Sequence, residues 1–223
     1  MARIHDRPKA DFDLTPTQVE ILRSKADHHL ITGPAGTGKT WTALMRGFRH
    51  LYEKDVERII IIRSAVPTRD IGFLPGDQYE KVDAYAAPYI GLIDQISPRI
   101  KYRELVSRKQ IEFESTSFLR GMTWDGAFVL VDEFQNMNAH ELETVVTRVG
   151  EGTRLCLCGD SDQSDLKVSE AAEHRDVIMT LSSMDSVACF EFSVDEIVRS
   201  EFVKAYYKAK QGALLPPVRL WGT

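Results

Sequence analysis

The chain has 223 residues, 43% of them hydrophobic and 27% charged, with a net charge of -5. That balance excludes a largely disordered chain and a polycation, so any contact with nucleic acid has to use a local patch. At this length one α/β core buries roughly 70% of the surface its unfolded chain exposes, and neither disulfides nor metals are needed to hold it. The three cysteines agree with this. Cys156 and Cys158 share one face of a strand pattern and Cys189 sits in an apolar run, so core packing is expected of all three. No basic segment followed by an apolar one opens the sequence, and no apolar run nears the roughly 20 residues of a membrane span, which predicts a cytoplasmic protein.

Residues 1–13 and the tail 211–223, with Pro216 and Pro217, read as loose extensions of one domain over residues 14–210. Thr15, Pro16 and Gln18 form a capping box with proline at the first helical position, and Leu14 and Val19 are placed as its staple. Strands are expected at His29–Thr32, Arg58–Ile62, Gln110–Glu114, Ala127–Asp132, Arg154–Cys158 and Val187–Phe192, with helices between most of them. The segment "RSAVPTRDIGFLPGD" is a long Pro/Gly-punctuated loop, of the kind that usually carries function. Asn138 and Glu141 form a second capping box. It opens a helix with Leu142, Val145, Val146 and Val149 inward and His140, Thr144 and Arg148 on another face.

The strongest motif is "GPAGTGKT", which fits G-x-x-x-x-G-K-[ST] between a strand pattern and a helix pattern. Glycines let backbone N–H groups curl around phosphate oxygens at a helix N-terminus, where the dipole also favours anions. Gly33, Pro34, Ala35, Gly36, Thr37, Gly38, Lys39, Thr40 and Trp41 are therefore expected to bind nucleotide. Lys39 is assigned to the β- and γ-phosphates and the Thr40 hydroxyl to Mg2+. A second acidic site should lie at the carboxyl end of another parallel strand. "FVLVDE" supplies it, with Asp132 on the metal and Glu133 orienting and deprotonating a water aimed at the γ-phosphate. "LCLCGDSDQSDL" repeats the pattern, with Asp160 and Gln163 beyond a third strand and Gln163 placed to sense the γ-phosphate or position the water.

With these strands assembled the sequence resembles the PhoH-like ATPases, P-loop proteins related to superfamily-one helicases. The resemblance is carried by "GPAGTGKT", "IGFLPGDQYEKV", "FLRGMTWDGAFVLVDEFQN", "TRVG" and "GDSDQSDL" followed by "DEIVRSEFV". It implies an α/β fold, a single RecA-like P-loop NTPase domain with a mainly parallel sheet flanked by helices. It also implies Gln18 as a reader of the adenine edge, an alternative to its capping role, and Arg199 as an arginine touching the γ-phosphate. Relatives are thought to form homo-oligomeric rings, commonly hexamers. Arg148 or Arg120 is expected at a subunit boundary, the alternative being solvent-facing arginines.

The expected activity is Mg2+-dependent ATP hydrolysis coupled to RNA or single-stranded nucleic acid. The alternative is an ATP-controlled ring or scaffold that organises a protein partner. A small-molecule kinase is disfavoured by Glu133 and Gln163, and a fused nuclease domain is not expected. Arg63, Arg69 and the cluster Arg99, Lys101, Arg103, Arg108 and Lys109 are candidates for strand phosphates, although such runs are often just solvated faces. Tyr79, Tyr85 and Tyr89 are candidates for base stacking, with core packing at the Ala86, Tyr89 and Ile93 spacing as the competing role.

Overall fold

The computed structural model describes residues 13–63, 78–116, 119, 121, 123–160, 166 and 168–212. In chain order they form α1 (Pro16–Arg23), β1 (His28–Thr32), α2 (Lys39–Glu53), β2 (Arg58–Arg63), α3 (Gln78–Ile96), α4 (Tyr102–Ser107) and β3 (Ile111–Ser115). There follow β4 (Ala127–Asp132), α5 (Ala139–Val146), β5 (Arg154–Gly159), α6 (Val168–Ser182), β6 (Val187–Glu191) and α7 (Glu201–Gly212). The strands make one sheet in the order β3-β2-β4-β5-β1-β6, and every pairing is parallel. The strand expectations hold to within a residue at each end. Both expected capping boxes form, at Thr15 with Gln18 and at Asn138 with Glu141.

The central strands are near-continuous apolar runs because helices cover both sheet faces. All six residues of β4 are buried, as are the four consecutive isoleucines of β2. Alternate side chains go to opposite layers. Ile59, Ile61, Phe128, Leu130, Cys156 and Cys158 pack with Leu44 and Phe48 of α2 and Ile93 of α3. Ile60, Ile62, Val129, Val131, Leu155 and Leu157 pack with Leu142 and Val145 of α5 and with α6. Cys189 departs from expectation. It lies on β6, an edge strand of the sheet among the described residues, and is exposed. Among the described residues no helix is long and apolar enough to cross a membrane.

Because the sheet is parallel, the loops after β1, β4 and β5 all emerge at one end. The basic run around α4 lies at the other. Residues 101–110 lead into the amino end of β3, where the Ile59 N–H donates to Gln110 O. Arg108 of this cluster is paired with Glu104. The cluster therefore lies at the end of the sheet opposite the loops that follow β1, β4 and β5.

One buried group on β1 makes the fold sensitive to acid. His29 is fully buried, stacks on Phe190 with ring centroids 5.7 Å apart, and has no hydrogen-bond partner for either ring nitrogen among the described residues. Burial, with Arg46 and His50 nearby, lowers its pKa from 6.5 to about 3. The folded value lies below the unfolded one, so the stability linked to neutral His29 is complete above pH 6.5 and is lost as pH falls towards 3. Denaturant unfolding between pH 6.5 and 4.5 should show His29→Leu losing less stability with acid than the wild type, by up to about 1.4 kcal/mol per pH unit. Equal pH slopes would contradict this.

Candidate nucleotide site

β1 ends at Thr32, and residues 33–38 turn the chain into the N-terminus of the 15-residue α2. Gly33 has φ +135 and packs so closely on β6 that an added Cβ would stand 2.7 Å from the Phe192 Cβ. Only glycine passes there. The loop is braced internally by Thr37 Oγ1 donating to Pro34 O at 3.0 Å and Thr42 Oγ1 to Gly38 O at 2.9 Å. Lys39 Nζ donates to Gly33 O and Pro34 O, so its ammonium lies over the loop's first turn. Burial lowers the Lys39 pKa, while the acids Asp160, Glu133 and Asp132 oppose that shift. Trp41, in the first turn of α2, is half-buried and packs partly on the core.

Gln18 takes the capping role and adds a second bond. Its Oε1 accepts from the Thr15 N–H at 3.0 Å, and its Nε2 donates to Thr37 O at 3.1 Å. The side chain is 5% exposed. It caps α1 and braces the phosphate loop at once.

Arg199 is exposed and sits against the loop. The Val198 N–H donates to Gly36 O at 3.0 Å, and a Cβ at Gly36 would lie 3.1 Å from the Arg199 Cβ. This docking is reinforced by Glu196, whose carboxylate accepts from the Thr17 N–H and hydroxyl at 3.0 Å each and from the Ser193 N–H at 3.0 Å. Those bonds hold its pKa below the usual carboxylate range although burial opposes them. The Ser193-x-x-Glu196 spacing is a capping-box signature that would have found this residue.

At the carboxyl end of β4, Asp132 is 8% exposed. Its Oδ1 accepts from Thr40 Oγ1 at 3.0 Å and its Oδ2 from the Tyr89 hydroxyl at 2.8 Å. Burial raises the Asp132 pKa, and neighbouring Glu133 adds to the rise. The two hydroxyl bonds and the nearby Arg63 charge oppose it. Tyr89, offered by the sequence as a base-stacking or core residue, is 2% exposed, and burial beside Asp132 keeps its hydroxyl protonated.

Glu133 is half-buried and adopts φ +55, unusual for a residue other than glycine. Its Oε2 accepts from Gln135 Nε2 at 2.7 Å, and Gln135 Oε1 accepts from the Asp160 N–H at 3.0 Å. Gln135 was legible only as part of the "DEFQN" family marker. Gln163 and Arg120 lie outside the described residues.

Arg148 is half-buried, and its guanidinium donates to Leu119 O and, at 2.8 Å, to Thr144 O of α5.

A glycine-rich loop opening a helix, with an acid pair two strands away and one strand between them, defines a P-loop nucleotide-binding domain of the RecA-like fold. The chain belongs to the PhoH-like protein family, whose model matches residues 14–211. It is 37% identical over 180 residues to a PhoH-like protein of Mycobacterium leprae, covering 78% of this chain and 51% of that one. It is 32% identical over 188 residues to Protein PhoH of Escherichia coli strain K12, covering 82% and 53%. The chain thus spans about half the length of the curated relatives it matches. Among solved structures it resembles the large terminase of the thermophilic bacteriophage D6E with a TM-score of 0.58 at 14% identity, covering 87% of this chain and 50% of that one. It also resembles the large terminase ATPase domain of Thermus phage P74-26 with a TM-score of 0.51 at 12% identity, covering 90% and 88%. At such identities the likeness shows the fold.

The donor set suits a hard divalent cation. The Thr40 hydroxyl and the Asp132 carboxylate are neighbouring oxygens at the mouth of a phosphate loop, which is what Mg2+ prefers. Tyr89 would orient the carboxylate from behind. Tyr89→Phe is expected to leave the fold and Mg2+-free nucleotide binding intact while weakening the Mg2+ contribution to binding about 10-fold. Titration of Mg2+ against a fluorescent ATP analogue measures this, and an unchanged Mg2+ midpoint would refute the role.

Proposed function

We propose that this chain is a Mg2+-dependent ATP hydrolase built as one domain over residues 14–210, working in the cytoplasm and coupled to RNA or single-stranded nucleic acid. The observation that carries the reading is the division of labour between two adjacent acids. Asp132 is turned inward to two hydroxyls, whereas Glu133 is rotated by its positive φ into another environment and held by Gln135. A hydrolase needs an acid set apart from the metal ligand to activate water, and Glu133 is placed to be that acid.

In this reading backbone N–H groups of residues 33–40 and Lys39 hold the phosphates, and Lys39 exchanges its bonds to Gly33 O and Pro34 O for phosphate oxygens. Thr40 and Asp132 would hold Mg2+, which supplies charge neutralisation at the phosphates. Glu133 takes the proton of a water as its oxygen attacks the γ-phosphorus and the bond to the bridging oxygen breaks, leaving ADP and phosphate. Arg199, exposed at the loop's rim, is assigned to charge developing on the phosphoryl group, and Gln163 to sensing it.

Nucleic-acid coupling is supported by Arg63, which ends β2 in register with Asp132 and leads directly into residues 64–77. Assembly into a homo-oligomeric ring, with a hexamer favoured, is supported by α7. There Phe202 and Tyr206, four residues apart on the helix, are 81% and 59% exposed.

Phosphate release from ATP should require Mg2+ and rise on adding RNA or single-stranded DNA. That stimulation should weaken as salt increases, and the protein should have the solution mass of several copies. If Mg2+ produces no ATP turnover under any of these conditions, the hydrolase reading fails. Turnover that ignores nucleic acid removes only the coupling.

A further inference from the structure

We infer that Gln135 is a positioning residue for hydrolysis, clamping the Glu133 carboxylate to the carboxyl end of β5 through a single side-chain amide. The inference rests on the hydrolase reading above and goes beyond it by naming what holds the general base. Gln135 is 3% exposed, and both ends of its carboxamide are used at short range. Its orientation is fixed by chemistry, because the Asp160 N–H can only donate. The group facing it must therefore be Oε1, which leaves Nε2 to donate to Glu133. A donor at 2.7 Å on Oε2 fixes the direction in which the Glu133 carboxylate points.

The surroundings are shaped for this bridge. β4 and β5 are adjacent, with Asp132 in register with Cys158, so the residues just beyond them face each other. A Cβ at Gly159 would lie 2.5 Å from Gln135 Oε1 and 2.7 Å from the Phe134 ring, so glycine there leaves room for the amide. The turn after Glu133 is closed by the Asn136 N–H to Glu133 O and the Met137 N–H to Phe134 O, each 3.0 Å. His174 of α6 stacks on Phe134 with ring centroids 6.0 Å apart and bonds Met137 O at 2.9 Å through Nδ1. The turn carrying Gln135 is therefore fixed from two sides, and the amide can set the carboxylate. The Asp160 N–H, the Gln135 carboxamide and the Glu133 carboxylate thus form one chain of hydrogen bonds.

The test is kcat at saturating Mg2+ and ATP, with the nucleotide Kd and the melting temperature measured alongside. Gln135→Leu should lower kcat about 10- to 100-fold with Kd changed less than about 3-fold. Gln135→Glu keeps an acceptor for the Asp160 N–H but removes the donor to Glu133, so it should lower kcat likewise with Kd near the wild-type value. A merely structural residue would instead lose kcat and nucleotide affinity together, in step with lost thermal stability, and that outcome overturns the inference. So do variants that fold and keep the wild-type kcat. If Gln135→Leu does not fold, Gln135→Glu decides. A wild type without turnover sinks the hydrolase reading and this inference together, whereas wild-type turnover with unaffected variants sinks the inference alone.

Discussion

A carboxylate buried at the end of an all-apolar strand is expensive to keep charged, and the site is organised around that cost. β4 is buried along its whole length, so Asp132 emerges into protein and not into water. Two hydroxyls, from Thr40 and Tyr89, meet its two oxygens and offset part of the desolvation. Thr40 comes from the helix that follows the phosphate loop and Tyr89 from the helix that follows β2, so one carboxylate ties three elements together. Burial raises its pKa against the two hydroxyl bonds, which oppose the rise. A hard cation beside Thr40 would supply the remaining stabilisation.

The parallel sheet converts this local requirement into a site. Strands that all run the same way deliver the phosphate loop, the acid pair and Asp160 to one end. The cation-rich segment around α4 falls at the other end. Placement came from topology and could not be read from charge. The same holds for Arg199, which reaches the loop because Val198 bonds Gly36 and Glu196 bonds Thr17, contacts that join segments about 160 to 180 residues apart.

Much of the fold was legible because its signals are local. Both capping boxes, the glycine loop and the six apolar runs depend on spacing within a few residues, and each appeared where expected. What was missed depends on tertiary neighbours. Gln18 reads from sequence as a cap or a base reader, and in the fold it caps with its oxygen and braces Thr37 with its nitrogen. Tyr89 was assigned to a stripe without its hydroxyl being given a partner. Arg148 followed helical periodicity onto an outward face, but the Leu119 carbonyl comes close enough to engage it. Cys189 looked like core because its run is apolar, and only the strand order shows that β6 is an edge.

The central claim is that Asp132 and Glu133 perform different jobs, one structural and metal-facing, the other acting on water. Single-turnover phosphate release by Glu133→Gln, measured beside ATP binding in Mg2+, tests it most directly. The predicted result is ATP held about as tightly as by the wild type, with phosphate release slowed by about 10²-fold or more. Release at the wild-type rate would contradict the assignment of Glu133 as the base.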